Sequence, residues 1–206
     1  MDTSSLMTRM IRASKLDVEF YQEVEHDPSL DGQAVSVVII AAIAAGVGSL
    51  LGGIISSMFG GLLGNLSGTD VGLGFSFATV LLSTVWVTVF TLIGYYIWAF
   101  VTHWVGTKLF EGDADFGEVK RTLGYAYSPQ VLSFFSFIPC LGPLLALVGS
   151  IWSLVAAFFA IREALDLDTA KTVITIAVGW VVIMIISFIV TAIIGGAGLL
   201  ASGALG

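Results

Sequence analysis

A long stretch without any charged residue constrains this chain more than any other feature. Between Arg121 and Arg162, forty consecutive residues carry no charge. As a helix with a rise of ~1.5 Å per residue, they would extend roughly 60 Å, about twice the ~30 Å thickness of a bilayer's hydrocarbon core. Two prolines, Pro139 and Pro143, lie in the middle of this stretch, and proline interrupts helices. The sequence therefore predicts a membrane-embedded helical hairpin with both ends on one side of the bilayer.

The composition places the chain among membrane proteins. Hydrophobic residues make up 57% of it and charged residues only 11%, whereas about 25% is usual in a soluble domain. The net charge of −7 argues against a nucleic-acid partner, which would require a basic face. The apolar segments contain no Ser/His or paired-Asp constellation, so we predict no enzymatic activity, no catalytic residue and no cofactor.

One acidic run is similar to the first half of a calcium-binding loop. Glu111, Asp113 and Asp115 alternate along the chain. Phe116 and Thr122, however, stand where such a loop has its invariant glycine and its bidentate glutamate. We therefore predict no metal site, and we expect Asp115 to cap a helix instead.

Five apolar segments predict an all-α, polytopic integral membrane protein with five transmembrane helices. Residues 1–31 form an amphipathic N-terminal segment, and residues 32–206 form one membrane domain. A glycine-rich run at residues 60–74 is predicted as a flexible loop, with a re-entrant element as the alternative. The predicted spans are about 34–59, 75–105, 123–139, 144–165 and 172–194.

The distribution of charge predicts the topology. All eight Lys and Arg residues fall into three places: before the first span, between spans two and three, and around the loop between spans four and five. With five spans these places share one side, so the positive-inside rule puts the N-terminus in the cytoplasm and the C-terminus outside. Only Asp70 of the 15 acids lies on the other side, which leaves the predicted cytoplasmic face with 14 acids and eight bases. Such a face suits a basic protein surface better than anionic lipid.

The N-terminal segment is predicted to contain two short helices. Asp17 can cap the second, which would extend from Val18 to about His26. One interpretation is a pair of helices lying on the lipid headgroups, and the other is a docking surface for a soluble partner. On the second interpretation, the candidate docking residues in this segment and the charged loop are Phe20, Tyr21, Glu23, Asp113 and Asp115.

The third predicted span is short and irregular. Pro129 lies inside it and should kink it, because a residue before proline, here Ser128, is disfavoured in helical angles. Polar residues recur within it at three-residue spacing, and polar groups in hydrocarbon seek partners. We expect this stripe to face the bundle; its members are Tyr127, Gln130, Ser133 and Ser136.

The chain resembles the Yip (Ypt-interacting protein) domain family over roughly residues 34–200. The resemblance is carried by Lys108-Leu109-Phe110, Leu123-Gly124-Tyr125-Ala126-Tyr127-Ser128-Pro129, the Ile138-Pro139 turn, Ile151-Trp152 and Arg162-Glu163-Ala164-Leu165. It implies a helical membrane protein with a cytosolic N-terminus. Eukaryotic members are associated with Rab-type GTPases and with vesicle traffic between endoplasmic reticulum and Golgi. The N-terminal segment of about 31 residues is shorter than theirs and is similar to the prokaryotic branch, which favours a prokaryotic cytoplasmic membrane over an ER or Golgi membrane.

Two functions follow as hypotheses. The first is a membrane scaffold or adaptor that recruits a protein partner, or another copy of itself, at the cytoplasmic face. The second is a small-substrate transporter or channel, which the kinked third span and its polar stripe favour. No predicted span holds a charged residue near its centre, and this disfavours an ion-coupled carrier. The residues assigned to the family motif and the bundle core are Gly124, Tyr125, Tyr127, Ser128, Pro129, Gln130, Pro139 and Trp152.

Overall fold

The computed structural model describes residues 3–67 and 77–204, and this part of the chain is helical with no strand. Two 3₁₀ helices interrupt the α-helices, a single turn at Pro28–Leu30 and a longer segment at Ser128–Phe137. The α-helices are α1 (Thr3–Ser14), α2 (Val18–Glu25), α3 (Asp31–Ser67), α4 (Phe77–Phe110), α5 (Phe116–Ala126), α6 (Leu141–Ala164) and α7 (Thr169–Ala204).

The short helices α2 and α5 begin at the residues that the capping signals in the sequence predict. The Asp17 carboxylate accepts a hydrogen bond from the Phe20 backbone N–H at 3.1 Å, which confirms Asp17 as the N-cap of α2. Asp115 and Glu118 form the reciprocal capping box that begins α5. Local side-chain acceptors therefore determine where these short helices begin.

Within the described residues, four helices are long and apolar enough to cross a membrane. Their bounds as candidate spans are Pro28–Leu62, Thr84–Phe110, Leu141–Ala164 and Thr169–Val190. Large apolar side chains on these helices are exposed, for example Leu82 at 74% and Phe188 at 76%. Helices that are apolar all round and expose their largest side chains are typical of a protein surrounded by lipid.

The predicted third span, residues 123–139, is not one α-helix and is not among the four candidate spans. Helix α5 ends at Ala126, and the chain continues as the 3₁₀ segment. Pro129 explains the change, because it has no backbone N–H to donate and its ring would clash with the Tyr125 carbonyl if the α-helix continued. The Ser128 hydroxyl also donates to the Tyr125 carbonyl at 2.6 Å.

Because the structure has four candidate spans among the described residues, the five spans and the cytoplasmic N-terminus remain predictions.

The 3₁₀ segment packs closely between α3 and α6. A Cβ atom on Gly48 of α3 would lie 2.6 Å from the Ser133 carbonyl oxygen, and one on Gly149 of α6 would lie 2.9 Å from the Pro129 carbonyl oxygen. Only glycine permits such an approach between backbones in a membrane bundle. The segment ends in the predicted turn, where Cys140 has φ 66° and the Gly142 N–H donates to the Ile138 carbonyl at 2.7 Å.

The predicted glycine-rich loop is wrong over its first part. Residues 60–67 continue α3 as helix, and residues 68–76, which include Asp70, lie outside the described residues. Gly60 has no neighbour within 4 Å of where a side chain would begin, so Gly60 does not mark a close contact. An apolar run between glycines is compatible with helix, since glycine disfavours helix by only about 1 kcal/mol relative to alanine.

The charged segments meet at one end of the bundle, hereafter the charged end. Gln22 of α2 donates to the Glu163 carboxylate at the end of α6. A Cβ on Gly112, in the loop after α4, would lie 2.9 Å from the carbonyl oxygen of Leu165, which follows α6. This clustering is what the charge distribution predicts, since it places the N-terminal segment, the 106–122 loop and the α6–α7 turn on one side.

Candidate functional site

A buried arginine holds the N-terminal segment on the charged end. The Arg121 side chain on α5 is 5% exposed and pairs with Asp31 at 3.3 Å. Its Nε donates to the Val24 carbonyl at 3.2 Å, and its Nη2 donates to the Glu25 carbonyl. Lys120 adds a second ion pair to Asp31 at 2.6 Å. The guanidinium thus satisfies carbonyl oxygens at the C-terminus of α2, where a helix has unpaired acceptors and partial negative charge.

An aromatic cluster lies beneath α2. The rings of Phe20 and Tyr125 meet edge to face with centroids 5.1 Å apart, and the Tyr21 hydroxyl donates to the Ala13 carbonyl at 3.2 Å. All three side chains are fully buried. Phe20 and Tyr21 are therefore core residues in this conformation, and contact of either ring with a partner would require α2 to leave its place.

Most of the remaining motif residues connect α5 and the 3₁₀ segment to their neighbours. Tyr127 packs edge to face on Tyr95, with centroids 5.8 Å apart. The Gln130 amide donates to the Ser153 hydroxyl at 3.3 Å, and Ser153 in turn donates to the Ala126 carbonyl at 2.7 Å. The second of these bonds satisfies the carbonyl of Ala126, the last residue of α5, and the first holds Ser153 beside the 3₁₀ segment.

Three motif residues have other surroundings. A Cβ on Gly124 would lie 2.8 Å from the Ala34 Cβ, so glycine there allows α5 to lie against α3. Pro139 in the hairpin turn is exposed, and Trp152 is 44% exposed, so both lie outside the buried core to which the sequence assigns them. The Trp152 indole N–H donates to the Ser14 carbonyl at 2.8 Å, which ties α1 to α6.

An acidic cavity of about 380 Å³ opens on the charged end. Carboxylates reach it from α2, from the loop before α5, from α5 itself and from the turn after α6. In the described part of the chain, neither lysine nor arginine lines it. Its titratable lining residues are Glu25, His26, Asp113, Asp115, Glu118 and Asp166.

Glu25 is the least solvated carboxylate of this cavity. The residue is 9% exposed, and its Oε2 atom is buried with no hydrogen-bond partner among the described residues. The pKa of the Glu25 carboxyl is raised to about 7, mainly by burial and to a smaller extent by the nearby Asp166, Glu118 and Glu163. The Oε1 atom lies 3.2 Å from Nδ1 of the exposed His26, which partly offsets that effect.

The structure brings only part of the predicted docking set together. Asp113 and Asp115 line the cavity, whereas Glu23 lies on the other side of α2 and pairs with Arg12 at 2.8 Å. Sequence reasoning missed Glu25, Glu118 and Asp166 as members of the same site. The alternating acids of the 106–122 loop were a signal for one wall of the cavity, but no sequence spacing indicates that α2 and the α6–α7 turn supply the other walls.

The cavity is wider than a metal site. Among the described residues, no group of three or more His, Cys, Asp or Glu side chains is arranged to hold a metal ion. The volume of about 380 Å³ also exceeds many times the ~30 Å³ that one water molecule occupies in the liquid. The arrangement can therefore attract a positively charged group that is larger than a metal ion, such as a cationic side chain.

A second cavity, of about 480 Å³, lies at the level of the membrane helices α4, α6 and α7. Its wall includes the motif residues Tyr127 and Gln130 together with Ser153. Trp98 also lines it, and the Trp98 indole Nε1 is buried with no acceptor among the described residues. A mainly apolar cavity with a few converging polar groups can hold a small amphipathic molecule.

The sequence of this chain matches one known protein family. The family model of the Yip1 domain matches residues 16–191, a range that includes both cavities, helices α2 to α6 and most of α7. No curated protein and no solved structure matches the chain. The match extends over most of the sequence, and the chain belongs to the Yip1 domain family.

Proposed function

We propose that this protein is an integral membrane adaptor that has no catalytic activity and recruits a protein with a basic segment. The acidic cavity on the charged end is the observation that carries the proposal. It concentrates carboxylates from four parts of the chain in one concave place, and such a place focuses a negative potential toward solvent. An adaptor with this surface attracts a positively charged partner and orients it.

In this proposal the long helices hold the protein in the bilayer, and the Arg121 contacts maintain the shape of the acidic cavity. Helices α3, α4, α6 and α7 provide the apolar surface that holds the protein in lipid. The Arg121 contacts keep α2 in place, so that Glu25 and the 106–122 loop face each other across the cavity. In this proposal the charged end faces the cytoplasm, most simply that of a prokaryotic cell, in agreement with the positive-inside rule.

Site-specific photo-crosslinking in native membranes tests the proposal. A photoreactive amino acid replaces Ala114, which lines the cavity without contributing a charge. We expect it to crosslink a partner peptide that contains lysine or arginine beside the reacted residue. The Asp113→Asn/Asp115→Asn double variant should lose that crosslink, because the attraction depends on charge.

A photoreactive residue at Phe188, which is 76% exposed on α7, is the control position. It should capture lipid and not the basic partner. Equal capture of the same protein from positions 114 and 188, or undiminished capture in the double variant, would contradict the adaptor proposal. Capture of a second copy of this chain through a basic segment would identify the partner as the protein itself.

The membrane-level cavity favours one other candidate, a transporter or channel for a small amphipathic substrate. The motif residues Tyr127 and Gln130 line that cavity, and the buried Trp98 indole N–H has no acceptor among the described residues. Flux of small solutes into liposomes containing the purified protein tests this candidate. The Ser153→Val variant should reduce such flux if the cavity is the path, and flux no greater than that of empty liposomes would dismiss it.

A further inference from the structure

We propose that the acidic cavity takes one arginine or lysine side chain of the partner, and that the Glu25 carboxyl gives up a proton when that side chain binds. This inference rests on the proposed function and adds the binding group and its regulation by pH. It is carried by the geometry around Glu25, which differs from that of a solvated acidic surface.

Two of the carboxylates already have local partners. The Asp115 side chain accepts from the Glu118 backbone N–H at 2.9 Å, and the Glu118 side chain accepts from the Asp115 backbone N–H at 2.7 Å. Glu25 has no comparable arrangement: its Oε1 atom lies 3.2 Å from Nδ1 of the exposed His26, whereas its Oε2 atom is buried and no donor in the described residues reaches it. A buried carboxylate oxygen in this state destabilises the ionised form until a donor arrives.

The nearby arginine does not supply that donor. Arg121 is the closest buried cation, but its Nη2 donates to the backbone carbonyl of Glu25 and its Nη1 to the Asp31 carboxylate. Arg162, at the end of α6, is engaged with Glu163 at 2.6 Å. The fold therefore gathers carboxylates around Glu25 and directs the two neighbouring arginines elsewhere, so that His26, exposed and charged only when protonated, is the cation left beside the Glu25 Oε1.

A side-chain cation fits this place better than a bare metal ion. Calcium requires 6–8 oxygen ligands at about 2.3–2.6 Å, and the described residues contain no arrangement of this kind. A guanidinium carries five N–H donors in a planar fork and an ammonium carries three, so either can serve several separated carboxylates at once. The apolar stem of such a side chain would occupy the remaining volume of the cavity.

Binding through Glu25 makes recruitment depend on pH. The groups that face Glu25 are His26 on its own helix, Glu118 on α5, Glu163 at the end of α6 and Asp166 in the turn after it. With a pKa of about 7, Glu25 is largely protonated at pH 6 and largely ionised at pH 8. The hydrogen bond to the Gln22 carbonyl and the adjacent Glu25 raise the pKa of His26, and the positive charge that His26 loses as pH rises acts in the same direction as the ionisation of Glu25. Both changes favour a cation as pH rises.

The test uses the full-length protein in nanodiscs of zwitterionic lipid and a hexa-arginine peptide as the probe. We expect the affinity for the peptide to rise about tenfold between pH 6 and pH 8, as the ionised fraction of a group with a pKa near 7 rises. Calorimetry in two buffers of different ionisation enthalpy should show proton release on binding at pH 6.5. The Glu25→Gln variant should lose most of the pH dependence and the proton release.

The His26→Gln variant is the matched control, because its side chain is exposed and adjacent to Glu25. It should keep most of the pH dependence. Three results would overturn the inference: no peptide binding by the wild type at either pH, an unchanged pH dependence in Glu25→Gln, or stoichiometric calcium binding that displaces the peptide.

The failures of the inference and of the proposed function are distinguishable. A partner captured from position 114 without any peptide binding would leave the adaptor proposal standing and remove the inference. Peptide binding with the expected pH dependence, but no captured partner in membranes, would support the inference about the cavity and contradict the adaptor proposal.

Discussion

At the scale of single residues, Arg121 shows how far sequence reasoning extends. The sequence marks it as the border of the charge-free run and as one of the positive charges that predict topology. It does not reveal that the guanidinium is buried, because that depends on α2 folding back so that two of its carbonyls meet the arginine. The same limit applies to Glu25, which has no special spacing and becomes distinctive only through the residues packed around it.

Replacing Arg121 should destabilise the protein strongly. Arg121→Met leaves Asp31 with a weaker set of partners and the Val24 and Glu25 carbonyls without a donor. A buried acceptor left without a donor costs about 1–3 kcal/mol, so we expect a clear fall in the thermal unfolding midpoint in detergent micelles. Lys171→Ala is the control, since Lys171 is 46% exposed and lies 4.0 Å from Asp168. Equal midpoints for the two variants would show that Arg121 does not anchor α2.

Glu25 should make folding stability fall as pH rises. Its pKa is about 7 in the folded protein and 4.5 when solvated, so between these values the folded state binds more protons than the unfolded state. The contribution of Glu25 to stability is then highest below pH 4.5 and decreases by up to about 1.4 kcal/mol per pH unit until pH 7, about 3 kcal/mol in total. Glu25→Gln should remove this decrease and unfold at a higher temperature than the wild type at pH 8.

The control for this prediction is again His26→Gln. His26 has a raised pKa, so its stabilising effect is present below pH 6.5 and is lost as pH rises through its folded pKa, in the same direction as that of Glu25. Because His26 is exposed, its removal should change the profile only slightly. A Glu25→Gln variant with the same pH profile as the wild type would mean that Glu25 is well solvated.

At the scale of elements, the third predicted span shows both the reach and the limit of pattern reasoning. Pro129 and the three-residue spacing of polar side chains predict an irregular helix, and a 3₁₀ helix with three residues per turn places such a stripe on a constant face. The sequence does not reveal that this segment is a 3₁₀ helix, however, because that conformation depends on α3 and α6 packing closely against its ten residues. Long 3₁₀ runs are uncommon without such support.

Glycines of α3 should differ sharply in their tolerance of alanine. In Gly48→Ala the new methyl group would lie 2.6 Å from the Ser133 carbonyl oxygen, and backbone must move. We expect destabilisation by about 1–3 kcal/mol, as is typical of overpacking. Gly60→Ala in the same helix meets nothing within 4 Å and should be neutral or stabilising by up to about 1 kcal/mol. Thermal unfolding of both variants in the same detergent compares them, and similar midpoints would rule out the close contact.

At the scale of the whole molecule, charge distribution was the most informative sequence feature. It predicted that the N-terminal segment, the 106–122 loop and the α6–α7 turn share one side, and the structure brings these segments into contact. It could not predict the acidic cavity, because a cavity depends on how short helices dock and not on how charges are spaced. The family is likewise visible in the motif residues, whereas the partner is not.

Orientation is the claim on which the adaptor account depends, and cysteine labelling tests it most directly. Cys140 is exposed in the turn of the hairpin and is the only cysteine of the chain. A membrane-impermeant maleimide should label it only from outside the cell or after solubilisation. In a Cys140→Ser background, Asp113→Cys should react only when the cytoplasmic side is accessible. Labelling of Asp113→Cys from outside, or of Cys140 only from the cytoplasmic side, would place the acidic cavity away from the cytoplasm and contradict the account.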